Sequence, residues 1–319
     1  MNPKENVSVE QINRTVMESL ASGETKYAQD ASTGFIRIQL REDSFAFKIM
    51  PPEQITPDQL DRDVDETIRV IGEIEPDSPG AKWVPLQDVP EGEYIVGGRY
   101  VIPFARVVTR KYTKDLAELY TYRMDIRKVL TDNSIKDGLA AIDARWITAV
   151  NAICKNCPGV DQPHYITGKQ QWRQFTGGIT RENLVEASTM LPNGNAEGKF
   201  VLRNDCMLMN DYTARQVLKF RRDEWGGDGA QENLVNGLQT AKLLGLKAVY
   251  TIKNHLIPNN TIFFFAAPEF LGHCYYLDDW TMWMKREAYF IQMFSYWFGG
   301  FGFGNVAGMA RADFVPDSP

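Results

Sequence analysis

Cysteine is scarce in this chain: 319 residues contain four, at Cys154, Cys157, Cys206 and Cys274. So few thiols at uneven spacing exclude the disulfide framework that staples small secreted domains. Positive charge is also in short supply, with 35 Lys and Arg against 41 Asp and Glu, a formal net charge of −6 and a pI near 5.3. A surface built to grip nucleic acid needs Lys and Arg facing the phosphates, and an acidic one repels them. Residues Met1 to Glu10 set Lys4 between Pro3 and Glu5 with no apolar run behind it, so no secretory signal is expected and the expected compartment is the reducing cytoplasm. Long hydrophobic runs are missing too. Ala288 to Ala310 is free of charge, but Gln292, Ser295, Asn305 and five glycines interrupt it and Leu is absent, a pattern that predicts buried strands and turns rather than a membrane span of about 20 residues.

Concentrated site chemistry is absent as well. Cys154 and Cys157 form a C-x-x-C pair, yet a structural zinc needs four ligands and only His164 stands near. The pair also falls at the C-terminal end of a predicted helix, whereas thiol-exchange chemistry wants its first Cys at an N-terminus, where the dipole lowers the thiol pKa. Asp61-x-Asp63-x-Asp65 opens like a calcium loop, but the sixth position is Glu66 instead of Gly and the twelfth Gly72 instead of Glu. Gly302-x-Gly304-x-x-Ala307 fits the relaxed dinucleotide fingerprint, and only twelve residues follow it, too few for a βαβ unit. His164, His255 and His273 lie in separate segments, with Asp278 and Asp279 the one carboxylate pair near a histidine. No P-loop, HExxH or GxSxG pattern occurs. The expectation is therefore no catalytic residue, no metal and no cofactor. The alternative of another class is a soluble metal- or thiol-dependent enzyme using Cys154 and Cys157, which metal content would test.

What is present is uneven in texture. Residues 1–33 are polar, with Val9, Ile12, Val16 and Leu20 marking one amphipathic helix on a loose arm. From Gly34 to Lys111, β-like runs (Phe35 to Leu40, Tyr100 to Phe104) alternate with stretches dense in acid and Pro, seven of the 16 prolines lying between Pro51 and Pro90. Proline is barred from helix interiors and central strands, so an extended, loop-rich excursion is expected rather than a compact subdomain. Between Glu53 and Glu93 stand 12 acidic residues against Arg62, Arg69 and Lys82, and Arg99, Arg106, Arg110, Lys111 and Lys114 follow at once. Either these are two solvated faces, or acidic and basic patches meet between chains; Asp61, Asp63, Asp65, Arg106, Arg110 and Lys111 are the candidate contact residues.

Leu116, Leu119, Tyr120, Ile126 and Leu130 keep helical spacing until Thr131-Asp132-Asn133-Ser134, which reads as a break and a cap for a second helix. In that helix Ile135, Leu139, Ile142, Trp146, Val150 and Ile153 form one apolar stripe up to Cys157-Pro158-Gly159. Thr180 to Asn183 caps a short helix, Cys206 to Met209 reads as strand, Asp211 caps another helix, and Leu246 to Ile252 and Thr261 to Ala266 read as two strands around Pro258-Asn259-Asn260. Sixteen of the 37 aromatics lie between Phe263 and Phe303, which assigns those strands to a core or a large interface. The fold class is α+β.

The order of segments resembles that of tailed-phage major capsid proteins. The likeness rests on the arm, the acidic extended stretch, Tyr100-Val101-Ile102-Pro103-Phe104, Asp115 to Leu119, the long helix with Asp143-Ala144-Arg145, Thr180 to Leu184, Ile257 to Ile262, Ala266 to Gly272, and the closing Gly302-Phe303-Gly304-Asn305-Val306. It implies the HK-ninety-seven-like fold: an N-terminal arm (1–33), an extended loop (34–111), a peripheral domain with a long spine helix (112–198, with 275–319 returning to it) and an axial domain (199–274). It further implies a structural, non-enzymatic role: a homo-oligomer of hexamers and pentamers in a virion capsid assembled in the host cytoplasm. The shell would enclose double-stranded DNA without sequence-specific binding and without a membrane, with scaffolding, portal and cement proteins as candidate partners. The alternative within the fold is an encapsulin-type compartment shell, and no crosslinking signature is matched.

Overall fold

A computed structural model describes residues 44–62, 67–76, 83, 92, 96–115, 117, 126–156, 171–191, 202–217 and 242–316. The expected arm, the run Phe35 to Leu40, Asp63, Asp65, Leu116, Cys157 and His164 lie outside the described residues.

In chain order, a single-turn helix α1 (Phe45–Ile49) leads to β1 (Pro52–Gln54), β2 (Asp61–Arg62), β3 (Ile68–Ile74), β4 (Gly98–Pro103), β5 (Ala105–Val108) and β6 (Tyr112–Asp115). The long helix α2 (Ile126–Asn156) is followed by β7 (Trp172–Thr176), α3 (Arg181–Ser188), β8 (Asn204–Asn210) and α4 (Asp211–Val217). The chain then runs through β9 (Lys242–Leu243), β10 (Leu246–Thr251), β11 (Thr261–Ala266), β12 (Gly272–Glu287), β13 (Phe290–Phe303) and β14 (Met309–Val315).

These strands form three sheets. The largest has the order β7-β14-β11-β8-β10-β9. Its central strand β11, Thr-Ile-Phe-Phe-Phe-Ala, is buried at every position, as a strand covered on both faces must be. Alternation then sorts the neighbours. Cys206, Leu208, Val249, Phe263, Phe265 and Met309 face the core shared with α1 and α2, while Met207, Met209, Ile262, Phe264, Ala310 and Phe314 pack with Leu184 of α3 and Ala214 of α4. The second sheet, β1-β12-β13-β5 with β6 also on β13, is built on a hairpin of 16- and 14-residue strands. The third, β2-β3-β4, is small, and its buried residues are only Val70 and Ile102, grouped with Ile55.

Helix α2 is 31 residues long, about 46 Å at 1.5 Å per residue. Its apolar stripe is buried as the spacing predicts: Ile135, Leu139, Ile142, Trp146 and Val150 are each at most 3 % exposed. The expected break at Thr131 to Ser134 does not occur, and the helix runs through it. Ser and Thr inside a helix cost only fractions of a kcal/mol, and burial of the adjoining stripe outweighs that. Gly138 makes the packing possible, because a Cβ there would overlap the indole of Trp280.

Three further expectations need correction. Residues 44–50 do not belong to an extended, loop-rich excursion: Phe45, Ala46, Phe47, Ile49 and Met50 are buried in the main core, since the six residues from Phe45 to Met50 carry one charge and gain most by leaving water. The strands β10 and β11 do not form a hairpin around Pro258 to Asn260; β8 lies between them, parallel to β10 and antiparallel to β11. The cap of α4 is Asn210, whose Oδ1 accepts from the Thr213 amide at 2.7 Å, rather than Asp211. The six-stranded sheet takes β7 from residues 112–198, β8 to β11 from 199–274 and β14 from 275–319.

Candidate functional site

The outer face of the β3–β4 pair is an exposed apolar surface on a regular sheet. The antiparallel register sets Ile71 opposite Val101, Glu73 opposite Arg99 and Arg69 opposite Pro103. Alternation turns Val70 and Ile102 inward, where they meet Ile55, Leu60, Tyr100, Phe104 and Tyr275. It turns Ile71 and Val101 outward, 36 % and 50 % exposed as a cross-strand pair. Beside them Arg99 and Glu73 approach to 3.6 Å with both side chains largely in water, a contact worth about 0–1 kcal/mol. This is an apolar strip with a charged margin, the composition of a contact surface.

The root of this sheet rests on β13. Gly300 lies under Pro103, and a Cβ at Gly300 would collide with the Pro103 carbonyl oxygen. A glycine is needed because backbone crosses backbone there. The free end of the β12–β13 hairpin is the second exposed apolar feature. Ala288 has φ 52°, and Tyr289 and Phe290 are 76 % and 46 % exposed next to exposed Lys285 and Arg286.

Of the charged candidates, Asp61 and Arg106 lie in different sheets. Asp61 is exposed on β2, paired in register with Arg69. Arg106 is exposed on β5, its guanidinium 5.5 Å from the Tyr296 ring centre and 5.7 Å from that of Phe298. Arg110 and Lys111 are exposed between β5 and β6. The aromatic platform holds the Arg106 charge in place without neutralising it.

The chemistry-bearing residues are placed elsewhere. Cys154, Cys206 and Cys274 are buried, and burial pushes the thiols of Cys206 and Cys274 up to about 12, which keeps them protonated and unreactive near neutral pH. His255 is exposed on the β10–β11 connection. The His273 ring stacks on Tyr275 at 5.3 Å, and Asp279 accepts the Trp280 amide at 2.9 Å. Among the described residues no three His, Cys, Asp or Glu side chains are grouped to hold a metal ion, and no helix is long and apolar enough to cross a membrane.

No family model matches the sequence, and no curated protein matches it significantly. Solved structures do. "Capsid of native GTA particle computed with C5 symmetry" superposes with TM-score 0.56 at 15 % identity, over 84 % of this chain and 89 % of that one. The fold is that of phage capsid structures. "Microbacterium phage Oxtober96" gives TM-score 0.58 at 10 % identity over 86 % of this chain and 92 % of the other. "Asymmetric unit of bacteriophage PhiM1 mature capsid" gives 0.55 at 9 % identity over 87 % and 88 %. The HK-ninety-seven-like α+β architecture implied by the segment order is thus the architecture of the chain.

Proposed function

We propose that the protein is a major capsid protein that assembles as hexamers and pentamers into the icosahedral head of a tailed phage, enclosing double-stranded DNA without reading its sequence. The observation that carries this reading is the shared fold over 84 % of this chain and 89 % of a particle-forming subunit, which leaves little of either chain for another task. The β3–β4 face supports it, because an apolar strip that no described residue of the subunit covers gains stability when a neighbour packs on it. The net charge of −6 fits a container whose wall must not bind its densely packed contents tightly. The role is structural rather than catalytic, its place is the virion, and assembly takes place in the host cytoplasm with scaffolding, portal and cement proteins as candidate partners.

In this reading residues 1–33 form the arm, 34–111 the extended loop apart from the core segment Ser44 to Met50, 112–198 with 275–319 the peripheral domain, and 199–274 the axial domain. The acidic residues Asp61, Asp63 and Asp65 meet Arg106, Arg110 and Lys111 of a neighbouring subunit. Electron microscopy of the protein expressed alone, or with the scaffold encoded beside it, tests the proposal. Capsomers, tubes or shells are expected; a monomer at every protein concentration and ionic strength contradicts it.

A further inference from the structure

One fully buried charge is not explained by the contact surface. Asp143, in the middle of α2, has no exposed surface. Its Oδ1 accepts from the Ser44 hydroxyl at 2.6 Å and from the Ala46 amide at 3.2 Å. Its Oδ2 accepts from Lys253 Nζ at 2.8 Å, and that side chain is 19 % exposed. Ser44 in turn caps α1 by accepting from the Phe47 amide. At the other end of α1 the Lys48 carbonyl accepts from Lys247 Nζ at 3.2 Å. A five-residue helix is thus tied at its start to the long helix through Asp143, and at its end to β10.

Apolar burial alone does not define where such a helix sits. Phe45-Ala46-Phe47-Lys48-Ile49-Met50 has apolar residues at five of six positions, and burial of that kind is non-directional, so several rotations and offsets hide similar area. A carboxylate with three donors at fixed directions is satisfied in one position only. Burying the ion pair gains little net stability, because desolvating both charges offsets their attraction. What such a group supplies is a unique arrangement.

We infer that Asp143 is a positioning residue: with Ser44 and Lys253 it fixes the single docked position of residues 44–50 on the long helix, and so sets where the chain leaves the core to build β1 and the β2-β3-β4 sheet. The inference concerns the subunit itself and stands whether or not the subunit forms shells.

Amide hydrogen exchange on the full chain tests it. The amides of Lys48 and Met50 bond to Ser44 and Ala46 carbonyls, not to Asp143, so they report docking of α1 rather than the deleted carboxylate. The decisive variant replaces both charges with apolar side chains, Asp143→Leu with Lys253→Met. It should melt within about 4 °C of the parent, while Lys48 and Met50 exchange at least about tenfold faster and Leu208 of β8 and Phe264 of β11 keep their parental rates. Lys253→Arg, which preserves the ion pair, should leave Lys48 and Met50 protected. Parental protection of both amides in the double variant would mean that apolar packing alone fixes the helix and would overturn the inference. So would equal losses at α1, β8 and β11, which would make the pair a contributor to global stability, or lost protection in Lys253→Arg.

Discussion

The six-stranded sheet and the three-stranded sheet are made by the same chain and obey opposite economies. In the first, β11 is buried at all six positions, covered on one face by α2 and on the other by α3 and α4. In the second, the buried residues among those described are Val70, Ile102 and Ile55, and an equally apolar pair, Ile71 and Val101, faces outward. One sheet is complete within the subunit. The other leaves an apolar pair in water among the described residues, and under the proposed function that difference separates what folding completes from what assembly completes.

The comparison breaks first from the inside. Ile142→Asp or Val150→Asp buries an unpaired carboxylate on the α2 stripe, at a cost of several kcal/mol. Soluble subunit in expression trials should fall sharply, and normal yields of assembled protein from both variants would show that the stripe is not core. Next comes the junction. Gly300→Val drives a side chain into the Pro103 carbonyl, with an overpacking cost of about 1–3 kcal/mol. Chemical denaturation should show that loss, and limited proteolysis should cut β4 faster while β8 and β11 stay resistant.

Charge tests come third. Reversal of Arg106, Arg110 and Lys111 to Glu should block or misdirect assembly, and added reversal of Asp61, Asp63 and Asp65 to Lys should partly restore it, as scored by microscopy. Isolated surface pairs contribute about 0–1 kcal/mol, but a shell repeats each contact in every subunit. Salt should weaken assembly for the same reason, as the Debye length falls from about 10 Å at 0.1 M to about 3 Å at 1 M. Unchanged particles after the triple reversal would identify the patches as solvated faces. The smallest effect on folding belongs to the outer face: Ile71→Lys with Val101→Glu should alter subunit stability by no more than about 0.5 kcal/mol, yet abolish shells.

Much of the body was legible in the sequence because its signals are periodic. The stripe Ile135 to Val150, the continuous apolar run of β11 and the cap at Thr180, which accepts from the Asn183 amide, each follow from local spacing. What was not legible depends on contacts between distant segments. Nothing local says that Ser44 to Met50 docks 97 to 99 residues away on Asp143, or that β8 separates β10 from β11. The unbroken α2 overrode Thr131 to Ser134 because tertiary burial outweighs a weak intrinsic preference. The acidic and basic candidates were legible as composition only. The placement of Asp61 and Arg106 in different sheets, and the exposed pair Ile71 and Val101, follow from strand register, which the hydrophobic pattern of a short, half-exposed strand specifies weakly.

The central claim is that the β2-β3-β4 sheet is completed by a neighbouring subunit while the body is already complete. Amide hydrogen exchange compared between free subunits and assembled particles tests it most directly. The account predicts that amides of β3 and β4 become at least about tenfold more protected on assembly, while those of β8 and β11, buried within the subunit, change little. Equal protection of β3 and β4 in both states would contradict it.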